Sequence, residues 1–286
     1  MGVCNVTPDS FSDGGLHFDP SAARARVDAL LAEGADIIDI GGESTRPGAE
    51  PVPPSEQLGR VLEVVRYAAG LGACVSIDTA NPEVATACLE AGAAVVNDVS
   101  CLLDGVLGRV VAASGAALVL MHARGIQKDM TGFSRYPDAA YGDVVRDVCD
   151  EWEAAADRAR SAGVPGEALV MDPGLGFAKN ARHSAELLAR LDEVVRAVGV
   201  PVAVGASRKS FLTVVDPVEG RPRVKTAPSE RIGASIAAAL HAVRAGAQVL
   251  RVHDVRATGQ ALDLERVLTR PPATANGARL GGGARA

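Results

Sequence analysis

The chain has 286 residues, enough for one large α/β domain, and 48% of them are hydrophobic, which excludes a globally disordered protein. Its net charge of −6 and its 3% aromatic content argue against a protein whose main partner is nucleic acid. The five cysteines form no C-x-x-C pair, and neither a signal peptide nor a membrane-spanning run is visible. We therefore expect a cytoplasmic protein without nucleic-acid or membrane partners.

Eight short aliphatic runs each precede a longer segment with helical periodicity. The runs cover residues 2–6, 36–42, 74–79, 94–100, 117–122, 168–173, 202–209 and 248–255. The helical segments cover residues 20–34, 56–71, 81–92, 105–115, 139–163, 181–198, 228–246 and 257–270. Alternation of strand and helix predicts a parallel sheet, and eight such units favour a single-domain (β/α)8 TIM barrel over an open doubly wound sheet. We expect the barrel to span residues 1–270 and a disordered Gly-, Ala- and Pro-rich tail to span residues 271–286.

Polar side chains recur late in the predicted strands, and counting by twos places them on one face. They are Asn5, Asp39, Asp78, Asn97, Asp172, Ser207, Lys209, Arg251 and His253. The alternate positions, such as Ile38 and Ile40, are aliphatic and would pack on the helices. Because active sites of barrel enzymes lie at the carboxyl ends of the strands, we expect one pocket there. Its mixture of acids and bases predicts a ligand that offers both hydrogen-bond donors and negative charge.

The stretch QVLRVHDV places Arg251 and His253 on the same face of the eighth strand. A buried charge is costly unless it is compensated, so this pair predicts a bound anion. The remaining histidines (His17, His122, His183 and His241) form no metal cluster with the cysteines, and we expect them at the surface or in packing roles.

Eight blocks of the sequence, in order, closely resemble the motif series of the dihydropteroate synthase family. They are NVTPDSFSDGG, GGESTRPG, SIDT, NDVS, LMH, MDPGLGFAKN, GASRKS and RVHDV, and the match runs from residue 1 to about residue 270. The resemblance implies a transferase of folate biosynthesis that condenses 6-hydroxymethyl-7,8-dihydropterin diphosphate with p-aminobenzoate and releases pyrophosphate. It also implies a sulfonamide target that is commonly a homodimer. The apolar helix around residues 235–246 would either form that interface or pack within the barrel's own outer layer.

The resemblance further implies roles for individual residues. The pterin would contact Asp78, Asn97, Met121, Asp172, Gly205, Lys209 and Arg251, with Val99 and Phe177 beside the ring. The diphosphate would contact Asn5, Arg251 and His253, and Asn5 would also hold Mg²⁺, the expected cofactor. The p-aminobenzoate pocket would comprise Phe11, Thr45, Arg46, Pro47, Phe177, Arg208 and Ser210, with Asp13 pairing with Arg46. The catalytic set would be Asn5, Lys209, Arg251 and His253.

Three other functions compete with this interpretation. A pterin-binding methyltransferase domain shares the barrel and the pterin acids, but it does not need the STRPG and SRKS motifs. A Schiff-base aldolase would use Lys209, although nothing around that residue requires such chemistry. A non-catalytic pterin-binding paralogue would have no reason to keep both substrate pockets.

Family members also usually carry residues before the first strand, so we expect either that residues precede Met1 or that the lower end of the barrel is unusually open.

Overall fold

A computed structural model of the chain describes residues 1–7, 20–44, 50–103, 105–125, 136–214 and 226–269. Its strands are β1 Gly2–Asn5, β2 Ile37–Gly41, β3 Cys74–Asp78, β4 Val95–Asp98, β5 Ala117–Met121, β6 Leu169–Asp172, β7 Ala203–Val204 and β8 Val249–Leu250. Its helices are α1 Pro20–Ala32, α2 Pro54–Gly70, α3 Pro82–Glu90, α4 Gly105–Ser114, α5 Val144–Ser161, α6 Ala181–Ala189, α7 Leu191–Val198, α8 Phe211–Val214, α9 Ile232–Arg244 and α10 Val255–Thr269. Short 3₁₀ turns cover Asp138–Ala140, Gly166–Ala168 and Pro228–Arg231.

The eight parallel strands close into a barrel. The first six form one sheet in chain order, and β7 pairs with β8. Single parallel bridges join the two sheets on both sides, from Met171 to Val202 and from Gly2 to Val252. The backbone N–H of Val3 donates to the carbonyl of Val252 at 3.0 Å, which ties the last strand to the first. The predicted (β/α)8 barrel is therefore confirmed.

Side chains alternate between the inside and the outside of this barrel, as the period of two requires. An apolar cluster fills the lower interior, where the strands begin: Val95, Val119 and Ala203, with Met1, Ala117, Val170 and Val249 packed against them. Outward positions such as Ile38 and Ile40 are fully buried in the larger core between the strands and the helices. Polar side chains begin at the upper edge of this plug, where Asp39 and Ser76 lie in register with Val95.

Two predicted helices differ from the observed ones for identifiable reasons. The helix predicted from residue 139 begins only at Val144, because the carboxylate of Asp143 caps it by accepting from the N–H groups of Val145 and Arg146 at 3.0 and 3.1 Å. The helix predicted over residues 181–198 is divided into α6 and α7 at Arg190, where the backbone leaves helical geometry (φ −104°, ψ 26°).

Arg190 is held at this division by three carboxylates. Its guanidinium donates to Glu186 at 3.0 Å, to Asp143 at 3.1 Å and to Glu193 at 2.8 Å. These contacts join α6 and α7 to the start of α5. The pairs with Glu186 and Glu193 have helical spacing, but the contact with Asp143, 47 residues away, could not have been indicated by local periodicity.

The last two strands are shorter than predicted. After β7 the chain turns sharply, with Arg208 in the left-handed region at φ 62° and the N–H of Lys209 donating to the carbonyl of Ala206 at 3.2 Å. Regular pairing cannot continue through such a turn. The predicted tail at residues 271–286 lies outside the described residues, and no described helix has the length and apolar character needed to span a bilayer.

Candidate active site

The inward-facing side chains at the upper end of the barrel, where the strands end, are polar. Strand register puts Asn5 opposite Gly41. On the next two strands it puts Asp78 opposite Gly41 and Asn97 opposite Asp78. Asp78 and Asn97 are buried and Asn5 is half-buried. These three side chains therefore share one level of the barrel interior.

Arg251 extends into this interior from the end of β8 and forms ion pairs with two carboxylates. Its Nε donates to Oδ2 of Asp39 at 2.6 Å, and one of its terminal nitrogens donates to Oδ2 of Asp78 at 2.7 Å. Asp39 is fully buried and also accepts from the hydroxyl of Ser76 at 2.6 Å and from the amide of Asn97 at 3.3 Å. The charge of Arg251, for which the sequence predicts a bound anion, is thus compensated by the chain's own carboxylates.

One oxygen of this cluster has no partner. Oδ1 of Asp78 is buried and accepts no hydrogen bond within the part of the chain that the structure describes. Burial raises the pKa of Asp78, against the opposing influence of Arg251. A buried, unpaired acceptor is costly and rare, so this oxygen is a candidate acceptor for a ligand donor.

Asp172 ends β6 and faces the same interior. Its Oδ1 accepts from the backbone N–H of Gly174 at 2.8 Å. Gly205 lies between Asp172 and Arg251, because a Cβ placed on it would be 3.7 Å from Oδ2 of Asp172 and 3.8 Å from Cβ of Arg251. Burial raises the pKa of Asp172, while the charges of Lys209 and Arg251 act to lower it. Asp172, Lys209 and Arg251 therefore converge on one pocket, as predicted.

Lys209 follows the turn after β7. Its ammonium donates to the carbonyl of Leu175 at 2.5 Å and lies 4.5 Å from the centre of the Phe177 ring. Burial lowers its pKa to about 8, Asp172 opposes that shift, and Arg251 adds to it. Lys209 is therefore a cation at neutral pH that loses its charge under mildly alkaline conditions.

His253 lies beside Ser207 at the mouth of the barrel. The Ser207 hydroxyl accepts from the backbone N–H of His253 at 3.1 Å and is also 3.1 Å from its Nδ1. Burial and the nearby charges of Arg251 and Arg208 lower the pKa of His253 to about 4, so the ring is neutral at pH 7. If the hydroxyl proton goes to Nδ1, the ring keeps its proton on Nε2, where it can donate to an anion.

The other predicted site residues fall into two groups. Met121 is buried at the end of β5, Val99 and Phe177 are buried in loops, and Ser210 is half-buried. The guanidinium of Arg208 is held by Asp254 through Nε at 3.0 Å and a terminal nitrogen at 2.5 Å. The residues predicted for the first two loops lie outside the described residues: Phe11, Asp13, Thr45, Arg46 and Pro47.

Sequence reasoning missed two sets of residues. It placed Asp39 on the polar face but gave it no function, although Asp39 is the main partner of Arg251. It also assigned nothing to Lys179, which is fully buried, or to Glu151, which contacts His122. Lys179 falls within the MDPGLGFAKN motif, and its place in that motif could have marked it as a functional residue.

This geometry makes a separate prediction about stability. Replacing Arg251 with Ala leaves the Asp39 and Asp78 carboxylates buried without their cation, and we expect a loss of about 3–5 kcal/mol in the free energy of unfolding at neutral pH. Arg251→Ala/Asp39→Asn should recover part of that loss. Urea denaturation measures both.

The matched control for this prediction is Arg266→Ala, which breaks an ion pair with Asp263 whose side chains are 77% and 74% exposed. Exposed pairs contribute about 0–1 kcal/mol. Equal losses for Arg251→Ala and Arg266→Ala would show that the buried pairs have no special weight.

Comparison with known proteins shows the family of this chain. A family model described as pterin binding enzyme matches residues 1–253. The chain is 46% identical over 271 residues to the dihydropteroate synthase of Mycobacterium leprae, covering 92% of this chain and 90% of that protein. It is 42% identical over 259 residues to a dihydropteroate synthase of Streptococcus pyogenes, covering 90% of each.

Solved structures give the same answer. The dihydropteroate synthase of Xanthomonas albilineans with 4-aminobenzoic acid superposes with a TM-score of 0.83 at 41% identity, covering 95% of this chain and 93% of that one. That of Thermus thermophilus in complex with 6HMPPP superposes with a TM-score of 0.76 at 42% identity, covering 94% and 93%. That of Yersinia pestis with a sulfonamide drug complex superposes at 0.83 and 37%, covering 94% of each. The chain therefore belongs to the pterin-binding enzyme family and, within it, to the dihydropteroate synthases.

Proposed function

We propose that this synthase binds dihydropterin diphosphate in the upper barrel interior and joins it there to p-aminobenzoate, with release of pyrophosphate. The observation that carries the proposal is the unpaired Oδ1 of Asp78, buried in one cluster with Asp39 and Arg251. A ring N–H would complete that oxygen. The resemblance to the family supplies the reaction, and the arrangement of donors and acceptors supports these residues as its site.

The pterin edge carries N–H donors and a carbonyl acceptor, and the pocket offers complements to both. Asp172 uses one oxygen for the Gly174 N–H, and its other oxygen can accept from the ring. Lys209 donates once, to Leu175, so further ammonium protons can reach ring acceptors. The amide nitrogen of Asn97 donates to Asp39, so the amide oxygen of Asn97 is the atom left to accept from the ligand. Met121, Gly205 and Val99 complete the slot.

Arg251 and His253 are proposed to bind the diphosphate. A guanidinium has five N–H groups, and the ion pairs with Asp39 and Asp78 engage two of them. The rest can bind phosphate oxygens without breaking either ion pair. His253 would act as a neutral donor through Nε2, and an approaching diphosphate would favour its protonated form.

Magnesium is proposed to act at Asn5. Mg²⁺ usually keeps several waters and binds one or two protein oxygens together with substrate phosphates. The described residues hold no cluster of three or more His, Cys, Asp or Glu side chains suited to a metal ion, and Asn5 supplies one amide oxygen at the end of β1. These residues fit an ion that arrives with the diphosphate. Asn5 would hold such an ion beside the diphosphate, where its charge would offset that of the leaving pyrophosphate.

The resemblance implies that the bond to pyrophosphate breaks before the arylamine attacks. Negative charge then grows on the leaving group, and Arg251 and His253 stabilise it from fixed positions. The cationic pterin that remains lies near Asp78 and Asp172, whose carboxylates favour positive charge. Water would consume this cation, and the apolar plug leaves the mouth of the barrel as the side from which water would reach it.

The p-aminobenzoate site is proposed above the pterin, from Phe177, Arg208 and Ser210 together with Phe11, Thr45, Arg46 and Pro47. Its occupant would lie near the Phe177 ring, which is 7% exposed. A sulfonamide shares the shape of p-aminobenzoate, so the same pocket makes this protein a proposed sulfonamide target. The Yersinia pestis relative, solved with a sulfonamide drug, supports that extension.

We further propose a homodimer in the cytoplasm. The five cysteines are all free thiols, as a reducing compartment favours. On the outer surface, α10 exposes Leu264, Val267 and Leu268 by 59%, 59% and 68%. The neighbouring α9 adds Ile232 and Val243, at 40% and 38% exposed, whereas its Ala238, Ala239 and Ala242 are buried. The proposed interface is therefore centred on α10 rather than on residues 235–246.

The function is tested by a coupled pyrophosphate-release assay. We expect release to require dihydropterin diphosphate, p-aminobenzoate and Mg²⁺ together. Asp172→Asn should raise the KM for the pterin by about tenfold to a hundredfold, because it removes a charge-assisted hydrogen bond. Asp157→Asn, an exposed carboxylate whose side chain is 70% exposed, is the matched control. No release, or release independent of p-aminobenzoate, would refute the assignment.

The ammonium of Lys209 predicts a pH dependence. Its pKa is lowered to about 8 by burial, with Asp172 and Asp78 opposing the shift and Arg251 adding to it. The donor form is the protonated one, so kcat/KM for the pterin should fall as the pH rises through about 8. Lys209→Arg, although less active, should keep a flat profile there, since arginine stays charged. An unchanged alkaline fall in Lys209→Arg would assign it to another group.

The dimer proposal predicts that Leu264→Glu/Leu268→Glu gives a monomer with the barrel intact, because it places two carboxylates in the apolar contact. Size-exclusion chromatography with light scattering measures the mass. The control is Leu71→Glu, which changes a leucine that is 51% exposed and follows α2. A wild-type monomer, or a double variant that stays dimeric, would remove α10 from the interface.

A further inference from the structure

Lys179 is fully buried, and its hydrogen-bond partners among the described residues are a histidine and two backbone carbonyls rather than a carboxylate. Its ammonium lies 2.8 Å from Nδ1 of His122, 3.1 Å from the carbonyl of Gly174 and 3.2 Å from the carbonyl of Phe177. Three acceptors match its three protons. Burial lowers the pKa of Lys179 to about 7, because an ammonium is costly to bury. A lysine kept in the interior despite this cost is expected to have a function.

The two carbonyls that Lys179 holds belong to the loop after β6, at residues 174–178. Gly174, Gly176 and Ala178 all have left-handed backbones, with φ of 67°, 80° and 50°. Gly174 also packs so closely on His122, the residue after β5, that a Cβ would lie 2.0 Å from the His122 carbonyl oxygen. The irregular backbone of this loop directs the carbonyls of Gly174 and Phe177 toward the ammonium of Lys179, which donates to both.

The opposite side of the same loop holds Lys209. The carbonyl of Leu175 accepts its hydrogen bond, and the Phe177 ring lies against its ammonium. Residues 174 and 177 are thus fixed by one lysine, while residues 175 and 177 hold the other. The position of Lys209 in the pterin pocket depends on the shape of this loop.

A chain of contacts leads from Lys179 to the outer layer. Because Nδ1 of His122 accepts from Lys179, its Nε2 carries the proton and donates to Glu151 at 3.0 Å. Glu151 also binds Arg124, whose Nε lies 2.8 Å from Oε2. Burial and the charge of Lys179 lower the pKa of His122 to about 4, in agreement with a neutral ring.

The chain of contacts then returns to the loop. Arg124 lies 3.8 Å from the centre of the Tyr141 ring, and the Tyr141 hydroxyl donates to the carbonyl of Ala178 at 3.0 Å. The loop is thereby held at both ends, by Lys179 from within and by Tyr141 from α5's side.

We propose that Lys179 is a positioning residue of this synthase, whose ammonium shapes the 174–178 loop so that Leu175 and Phe177 hold Lys209 in the pterin pocket. The inference rests on the proposed function of that pocket. Lys179 itself touches no substrate, because the interior of the loop encloses it and His122 takes its remaining proton.

The test compares Lys179→Met with wild type in the pyrophosphate-release assay. Methionine keeps the length of the side chain but removes the charge, so the loop loses its internal donor. We expect the KM for dihydropterin diphosphate to rise about tenfold, as for a displaced binding group. The alkaline limb of kcat/KM should also move to higher pH, because a loosened loop leaves the ammonium of Lys209 better solvated.

Arg182→Met is the matched control, since it removes a cation whose side chain is 75% exposed at the start of α6. It should leave both readouts unchanged. If Lys179→Met does not fold, Tyr141→Phe removes only the hydroxyl contact to Ala178, and it should move both readouts in the same direction by smaller amounts.

The outcomes separate the two proposals. A wild type without p-aminobenzoate-dependent pyrophosphate release refutes the proposed function itself. If the wild type is active, the role of Lys179 alone is refuted when the variants lose kcat in proportion to their folded fraction while the KM and the alkaline limb stay unchanged. That pattern is what a purely structural lysine would produce.

Discussion

The ion pairs of Arg251 with Asp39 and Asp78 are the constraint on which the site depends. Closing eight strands into a barrel leaves a narrow interior, and here its lower half is filled by an apolar plug. Any charge in the upper half must therefore find its partners among the inward-facing residues of neighbouring strands. Arg251, from the last strand, reaches the second and third strands, so the same contacts that balance charge also join the end of the chain to its beginning.

The barrel could be predicted from the sequence because its signals are local and repeated. Each aliphatic run is followed by a helical segment, and helices such as α1 and α3 are followed within two residues by glycines, Gly34 and Gly92, with φ of 91° and 109°. The boundaries were less predictable where a distant group decides them. The break at Arg190 depends on Asp143, which lies 47 residues earlier, and the end of β7 depends on a turn that Arg208 adopts.

Most of the polar face was likewise predictable, since a period of two and the family motifs both indicate it. The partners of those residues were not. Asp39 and Arg251 are 212 residues apart, and nothing near either one indicates the other. Lys179 was difficult to predict for another reason. It lies in a loop of irregular backbone, where no periodicity shows which way a side chain points. The loops that carry Phe11, Thr45, Arg46 and Pro47 stay at the level of prediction.

In the protein alone, each polar side chain proposed to bind the ligand already uses some of its hydrogen-bonding groups on neighbouring residues. Arg251 uses two of its N–H groups on carboxylates, Asp78 uses one of its oxygens on Arg251, and Asp172 uses one on Gly174. The unused halves can meet a ligand without breaking an existing bond, so binding requires little reorganisation. Lys209 is held in the same way, by a carbonyl and a ring that a second lysine keeps in place. The geometry of the proposed site is therefore set by contacts within the protein before any substrate arrives.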